Sequence, residues 1–413
     1  MTAIDRAATA RTQRVTKGGL AGGGSLLAPL VVIALAGVLA IELAVTGVGE
    51  GWLGFDFEGT LWDPAMAIRE GLSPYPAPVA AEVEVGNPAL YPPLLMFVAM
   101  PLTFLPWSLA VTLWLAILAA GLVGALYALE VRDPRCYAVV LVSAPAVTGL
   151  LWGNAGLLLV PIVALAWRWR DRWIRAGAVV GLAIASKLFL WPLLFWLLGT
   201  RRYRAAGAAL AAAAVGILLP WAAIGFDGFT AYPDLLRLAE DFYAVHGYSV
   251  ATMASALGAD TDLATTVTLV LGALLALVVF LVSRRGHDEA AASLAVVVAI
   301  LASPIVWEYY YVLLFVPLAM LRPRFSVLWL LPLLLYVTHR LPRPKLPARE
   351  LEPGGSACCK PDGVPGASWI FNHAPPGLWP ALGHALVALS VVALAVLLSR
   401  RQQTSDEASG HPA

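Results

Sequence analysis

The sequence predicts an all-α polytopic membrane protein. Long apolar runs recur along the 413 residues, charged residues make up 13% against 60% hydrophobic, and the charges gather in short clusters between the runs. Ordinary soluble domains are roughly a quarter charged. Unpaired backbone amides are costly in lipid, and the runs are too long and continuous for alternating barrel strands, so they must be helices.

In chain order the apolar runs fall at about 25–48, 92–106, 107–129, 136–151, 155–167, 174–199, 205–224, 263–283, 288–305, 307–321, 326–338 and 377–399. The first is long enough to span a ~30 Å hydrocarbon core and ends in no small-residue cleavage pattern, so it reads as a retained helix. Lys and Arg concentrate on the cytoplasmic side of membrane proteins. Arg6, Arg11, Arg14 and Lys17 therefore place the tail 1–24 inside, and the acidic stretch Glu50 to Glu84 falls outside. The clusters at 168–175, 201–204, 284–285, 322–324 and 400–401 should also be cytoplasmic. Between 168–175 and 201–204 the chain must then go out and return, as a hairpin with Lys187 near its outer tip.

The count is about twelve (11–13) transmembrane or re-entrant helices with both termini inside. The bundle occupies 25–338, with outer loops at 49–91 and 225–262. A Pro/Gly-rich segment, 339–376, is assigned to the outer face, followed by a last helix at 377–399 and a cytoplasmic tail at 400–413. Basic residues Arg340, Arg343, Lys345 and Arg349 run against that outer assignment, which rests on the parity of its neighbours. The working face is outside, because every cytoplasmic loop is short.

Net charge is +1, so nothing points to nucleic acid, and Cys136, Cys358 and Cys359 match no zinc spacing. There is no internal repeat, Walker-type loop or dinucleotide fingerprint. No cofactor and no metal site are expected.

Candidate chemistry lies on the outer side. Asp56 stands between Phe55 and Phe57 just beyond the first helix. Partial desolvation there raises a carboxylate's pKa and suits a general base; equally, Asp56 fits the N-cap of a helix starting near Phe57. Asp63 precedes Pro64 and reads as a cap. Lys187 is a charge inside an apolar run, and such residues are rare and usually functional. It fits a phosphate partner, or a side chain snorkelling to water. Ser303 to Tyr311 brings Trp307, Glu308, Tyr309 and Tyr310 to the outer end of a short helix, where aromatic residues also serve as anchors. His246 adds an imidazole in the outer segment 225–262, and Asn154 adds an amide between two apolar runs.

In order and spacing these motifs resemble the polyprenol-phosphate-sugar-dependent type C glycosyltransferases, specifically glycosyltransferase family 87, the bacterial α-mannosyltransferase and arabinofuranosyltransferase group. The resemblance spans roughly 54–320. It rests on Asp56 after the first helix, Gly71-x-x-Pro74-Tyr75, Tyr91-Pro-Pro93, Gly153-Asn154, Gly181-x5-Lys187 followed by a basic cluster, and Ser303-Pro-x-x-Trp307-Glu308. It implies a polyprenyl-phosphate sugar donor, mannose first and arabinose as the alternative, and a glycolipid or glycan acceptor. It also implies Asp56 as general base of an inverting transfer, Lys187 on the donor phosphate, and the Trp307-Glu308 turn closing the site. Tyr309 and Tyr310 stand where family members often carry histidines. A lipid-linked glycan transporter or flippase, and an inactive glycolipid-binding protein, are the competing readings; transporters usually show a repeat, and none is found here.

Overall fold

The computed structural model describes residues 23–75, 87–243, 246–339 and 377–408, and every regular element among them is helical. The basic N-terminal residues, Arg340, Arg343, Lys345 and Arg349, and the Cys358-Cys359 pair lie outside the described residues.

Four helices are long and apolar enough to cross a bilayer singly: Leu27–Gly49, Trp107–Ala128, Tyr203–Ala223 and Thr261–Arg284. A fifth forms if Pro134–Val142 and Ala144–Trp152, bent by 60° where they join, count together. Against the about twelve transmembrane or re-entrant helices expected, the described residues thus hold four or five full spans, and the other apolar helices are shorter. Breaks fall where a helix cannot continue: ahead of Pro145, at the left-handed Leu188 ahead of Pro192, and at Pro304.

The connections gather at two ends. At one, Arg202 pairs with Asp288 at 2.8 Å and Asp171 at 3.1 Å, Arg168 donates to the Ala128 carbonyl, and Arg135 lies over the Phe325 ring. At the other, Trp52 packs on Trp152, Tyr75 on Trp221 and Tyr243 on Trp307. The 92–106 run never leaves this aromatic end. It folds as a short helix whose far side is held by Arg69, which donates to the Thr103 carbonyl at 2.7 Å, while the adjoining Trp107 stacks on Phe57.

Because Arg202 reaches Asp171, the 174–199 run does leave and return, as helices Trp173–Lys187 and Pro192–Gly199. The arms pack on different neighbours, the first against 203–223 and the second against 261–284 and 288–301. At ~1.5 Å per residue the first arm is about 22 Å long, short of a ~30 Å hydrocarbon core. Lys187 ends the first arm and so stands at the hairpin tip, as expected, but that tip is buried among other helices rather than open to water.

The first hydrophilic segment is not an open loop. Phe55–Phe57, a π-helical turn over Glu58–Trp62, and Asp63–Arg69 run on as one helical stretch. Neither acid caps it, since Gly54 precedes its first residue and no side-chain cap is made at either helix start. The cap readings of Asp56 and Asp63 are corrected accordingly: Asp56 is already inside the first turn, and Asp63 is mid-stretch and exposed.

The most extensive helix contact joins 173–187 to 203–223. Gly177 and Gly181 face Ala205, Ala209 and Ala213, the small-residue pattern that lets helix backbones approach closely in lipid. A Cβ on Gly177 would stand 2.5 Å from that of Ala208, and one on Gly181 would strike the Ala209 carbonyl. Gly181→Val should therefore destabilise the protein by about 1–3 kcal/mol, the usual cost of overpacking, read as a lower melting temperature in detergent. An unchanged melting temperature would remove this pair from the determinants of stability.

Candidate active site

At the aromatic end a cavity of about 350 Å³ is lined by Asp56, Asn87, Tyr91, Trp152, Lys187, Glu240, Tyr243, Trp307, Tyr309 and Tyr310 among others. Each wall comes from a different part of the chain. Gly54 N donates to the Leu151 carbonyl at 2.7 Å and ties the start of the Asp56 helix to the Gly153-Asn154 turn. Gly153 closes the Ala144–Trp152 helix with φ 66°, a left-handed conformation that favours glycine. Its carbonyl accepts from Trp114 Nε1 at 2.7 Å, and Trp114 in turn stacks on Phe57. Two turns and a span are thereby locked beside Asp56.

Asn154 follows and is fully buried. Its Nδ2 donates to Asp56 Oδ2 at 2.5 Å and to the Tyr91 hydroxyl at 3.2 Å; its Oδ1 accepts from Lys187 Nζ at 3.1 Å and from Gly156 N at 2.7 Å. One amide thus bridges the carboxylate and the ammonium. Gly156 makes room for this: a Cβ there would lie 2.6 Å from Asn154 Oδ1 and 3.2 Å from Lys187 Nζ.

Asp56 is only 4% exposed. Its other oxygen accepts from Asn87 Nδ2 at 3.0 Å, and Tyr309 hydrogen-bonds it as well. Burial holds its pKa above the ordinary 3.8; the Asn154, Asn87 and Tyr309 hydrogen bonds and the Lys187 charge pull the other way without cancelling it. Lys187 Nζ also donates to the Tyr310 hydroxyl at 2.9 Å and sits 4.5 Å above the Tyr91 ring and 4.2 Å from the Tyr310 ring centroid. Aromatic faces and neutral oxygens hold the ammonium, with no carboxylate in direct contact.

Of the residues singled out from sequence, Asp56, Tyr91, Lys187, Trp307, Tyr309 and Tyr310 line the cavity, and Asn154 lies directly beneath it. Tyr75 stands outside; its hydroxyl donates to the Tyr91 carbonyl at 2.8 Å and braces the wall from behind. Asp63 and His246 are not on the wall. Glu308 is buried but does not join Asp56 and Lys187; its charge is felt at Tyr336 instead. Glu308–Leu314 is a 3₁₀ helix, in which residues three apart share a face. Glu308 therefore points with Tyr311, leaving the cavity to Tyr309 and Tyr310. Asn87, Trp152, Glu240 and Tyr243 were not anticipated. Only Asn87 had a local signal, an Asn-Pro just ahead of Tyr91-Pro-Pro93, and that reads as a turn. Among the described residues no three His, Cys, Asp or Glu side chains come together as a metal site.

A polyprenol-phosphate-mannose-dependent alpha-(1-2)-phosphatidylinositol pentamannoside mannosyltransferase of Mycobacterium tuberculosis is 24% identical over 311 residues, covering 71% of this chain and 67% of that protein. No solved structure matches. Residues 89–304, just over half of the chain, match the sequence profile of glycosyltransferase family 87. The matched stretch carries Tyr91, Asn154, Lys187 and the 232–243 helix, while Asp56 and Trp307 to Tyr310 lie beyond its ends. With helices of the expected kind around that stretch, the chain belongs to glycosyltransferase family 87.

Proposed function

We propose that this glycosyltransferase moves a sugar, mannose, from a polyprenyl-phosphate carrier to a hydroxyl of a cell-envelope glycolipid or glycan, with inversion at the anomeric carbon. The observation that carries the reading is the pairing inside one cavity of a buried carboxylate and a buried ammonium, kept apart by the Asn154 amide. A direct ion pair would have spent both charges on each other. Separated, Asp56 takes the proton of the attacking hydroxyl as the new glycosidic bond forms, and Lys187 receives the negative charge that builds on the departing phosphate as the old bond breaks. Tyr310 adds a second hydroxyl beside that phosphate position.

The choice of mannose draws on the mycobacterial relative, whose name specifies polyprenol-phosphate-mannose. The basic clusters stand at the end away from the cavity. By the positive-inside rule that end is cytoplasmic, which supports work on the outer face of a bacterial plasma membrane. A lipid-borne donor fits such a face, where no soluble nucleotide sugar is needed.

Purified protein given radiolabelled polyprenyl-phosphomannose and membrane acceptor lipids should transfer label, and polyprenyl-phosphoarabinose should be the poorer donor. Asp56→Asn should cut the rate by about 10²–10⁴, the usual contribution of a general base; transfer at the wild-type rate would remove Asp56 from the reaction. Lys187→Met should lower kcat and raise the donor KM, and unchanged donor kinetics would take Lys187 off the phosphate.

The base is competent only as carboxylate, so the rate must fall as pH drops through its pKa. Burial sets that pKa above 3.8. The acidic limb of the profile should lie at correspondingly higher pH and vanish in Asp56→Asn. A rate flat down to about pH 4 would contradict the assignment. Gly156→Ala should lower kcat without unfolding the protein, because it wedges Asn154 away from Lys187; full activity would mean that their contact is dispensable.

A further inference from the structure

The cavity has a second polar wall that the transfer chemistry leaves unused. Leu236, Glu240 and Tyr243, at helical spacing on the amphipathic Tyr232–Tyr243 helix, turn one face toward it. Tyr243 packs edge-on against Trp307 at 6.1 Å, and Trp152 lies on the same lining. Glu240 Oε2 accepts a hydrogen bond from Thr265 Oγ1 at 3.3 Å, which anchors the carboxylate to the Thr261–Arg284 helix. That leaves Oε1 with no hydrogen-bond partner among the described residues. Among the described residues the lining carries one cation, Lys187, already held by Asn154 and Tyr310.

An anchored carboxylate beside aromatic faces suits a neutral polyol. The rings cover the apolar C–H face of a pyranose, and the carboxylate, an acceptor only, takes hydrogen bonds from its hydroxyls. It suits a phosphate badly, since two anions would meet on the lining while the nearby cation of the same helix, Arg237, is exposed and off that lining. The donor phosphate therefore belongs at Lys187 and an uncharged sugar at Glu240.

We infer that Glu240, Tyr243 and Trp307 form the acceptor-sugar subsite, with Glu240 binding hydroxyls of the acceptor hexose so that a neighbouring hydroxyl meets Asp56. The inference rests on the sugar-transfer reading for its second half, the delivery to Asp56. Its first half, carbohydrate binding at this wall, stands on the cavity alone. Glu240 is an acceptor-binding residue here and takes no proton in the reaction.

The test uses the full-length protein in detergent and n-octyl α-D-mannopyranoside as acceptor probe, with n-octanol as a control for the tail. Binding is read by intrinsic tryptophan fluorescence without donor, and transfer is read separately with polyprenyl-phosphomannose. The mannoside should bind where octanol does not. Glu240→Gln, which keeps the shape of the side chain, should weaken binding and raise the acceptor KM by about tenfold or more, the loss expected for a charged hydrogen bond, with the donor KM within about twofold. Tyr243→Leu should do the same through loss of the ring.

Mannoside affinity equal in wild type and both variants, or no mannoside binding by the wild type, would overturn the subsite. So would an equal rise in donor and acceptor KM. Binding that depends on Glu240 with no transfer would uphold the subsite and sink the transferase reading. Transfer with acceptor kinetics indifferent to Glu240 would do the reverse.

Discussion

The side-chain amide of Asn154 sits at the point where a carboxylate, an ammonium, a phenol and a backbone amide would otherwise compete inside a hydrophobic bundle. An unpaired buried charge is strongly destabilising, and a buried ion pair in direct contact satisfies both charges at the expense of their reactivity. The amide resolves this by donating to Asp56 and accepting from Lys187 at once. Asp56 keeps lone pairs directed at the cavity, and Lys187 keeps a charge for an anion. Much of the surrounding architecture serves that geometry. The left-handed Gly153 turn places Asn154, the bare Gly156 leaves space for Lys187 Nζ, and the Phe57, Trp107 and Trp114 stack fixes the Asp56 helix against the Trp107–Ala128 span.

Short and broken helices are the means by which such polar groups reach mid-bundle. A helix that crosses the whole bilayer satisfies its own backbone and delivers side chains only around its barrel. One that stops part way delivers its last side chain, with a turn, into the interior, where irregular backbone is tolerated if it lines a cavity. Lys187 ends such a half-helix, Asn154 follows another, and Tyr309 with Tyr310 opens a third. The full-length spans form the apolar exterior: Leu27–Gly49 and Thr261–Arg284 are the least buried of them. At the opposite end, Arg202, Asp288 and Asp171 tie the returning arms together, which keeps the half-helices in register.

The two walls of the cavity divide the labour by charge. Ammonium and phenol stand where an anionic leaving group belongs, and carboxylate with aromatic rings stands where a neutral sugar belongs. Asp56 lies between the two in function, and among the described residues it is the only acid of the first hydrophilic segment on the lining. Glu58 and Asp63 share its helical stretch, yet the π turn and the helical repeat carry them elsewhere.

Composition and charge clustering by themselves determined a helical membrane protein. The order of Asp56, Gly153-Asn154, Gly181-x5-Lys187 and Ser303 to Glu308 carried the resemblance to its family, and the profile match over residues 89–304 showed it. Local sequence also determined that the 174–199 run returns on itself, since two basic clusters bracket it. Tertiary structure alone decided the rest. Whether an apolar run crosses depends on where its ends pack, so 92–106 stays at one end although its composition matches that of its neighbours. Whether Glu308 or Tyr309 faces the cavity depends on how the Glu308–Leu314 helix is turned against its neighbours, a choice made by packing. Glu240 and Tyr243 had no local mark, because their meaning comes from Trp307, far along the chain, and proximity between distant segments is a property of the fold.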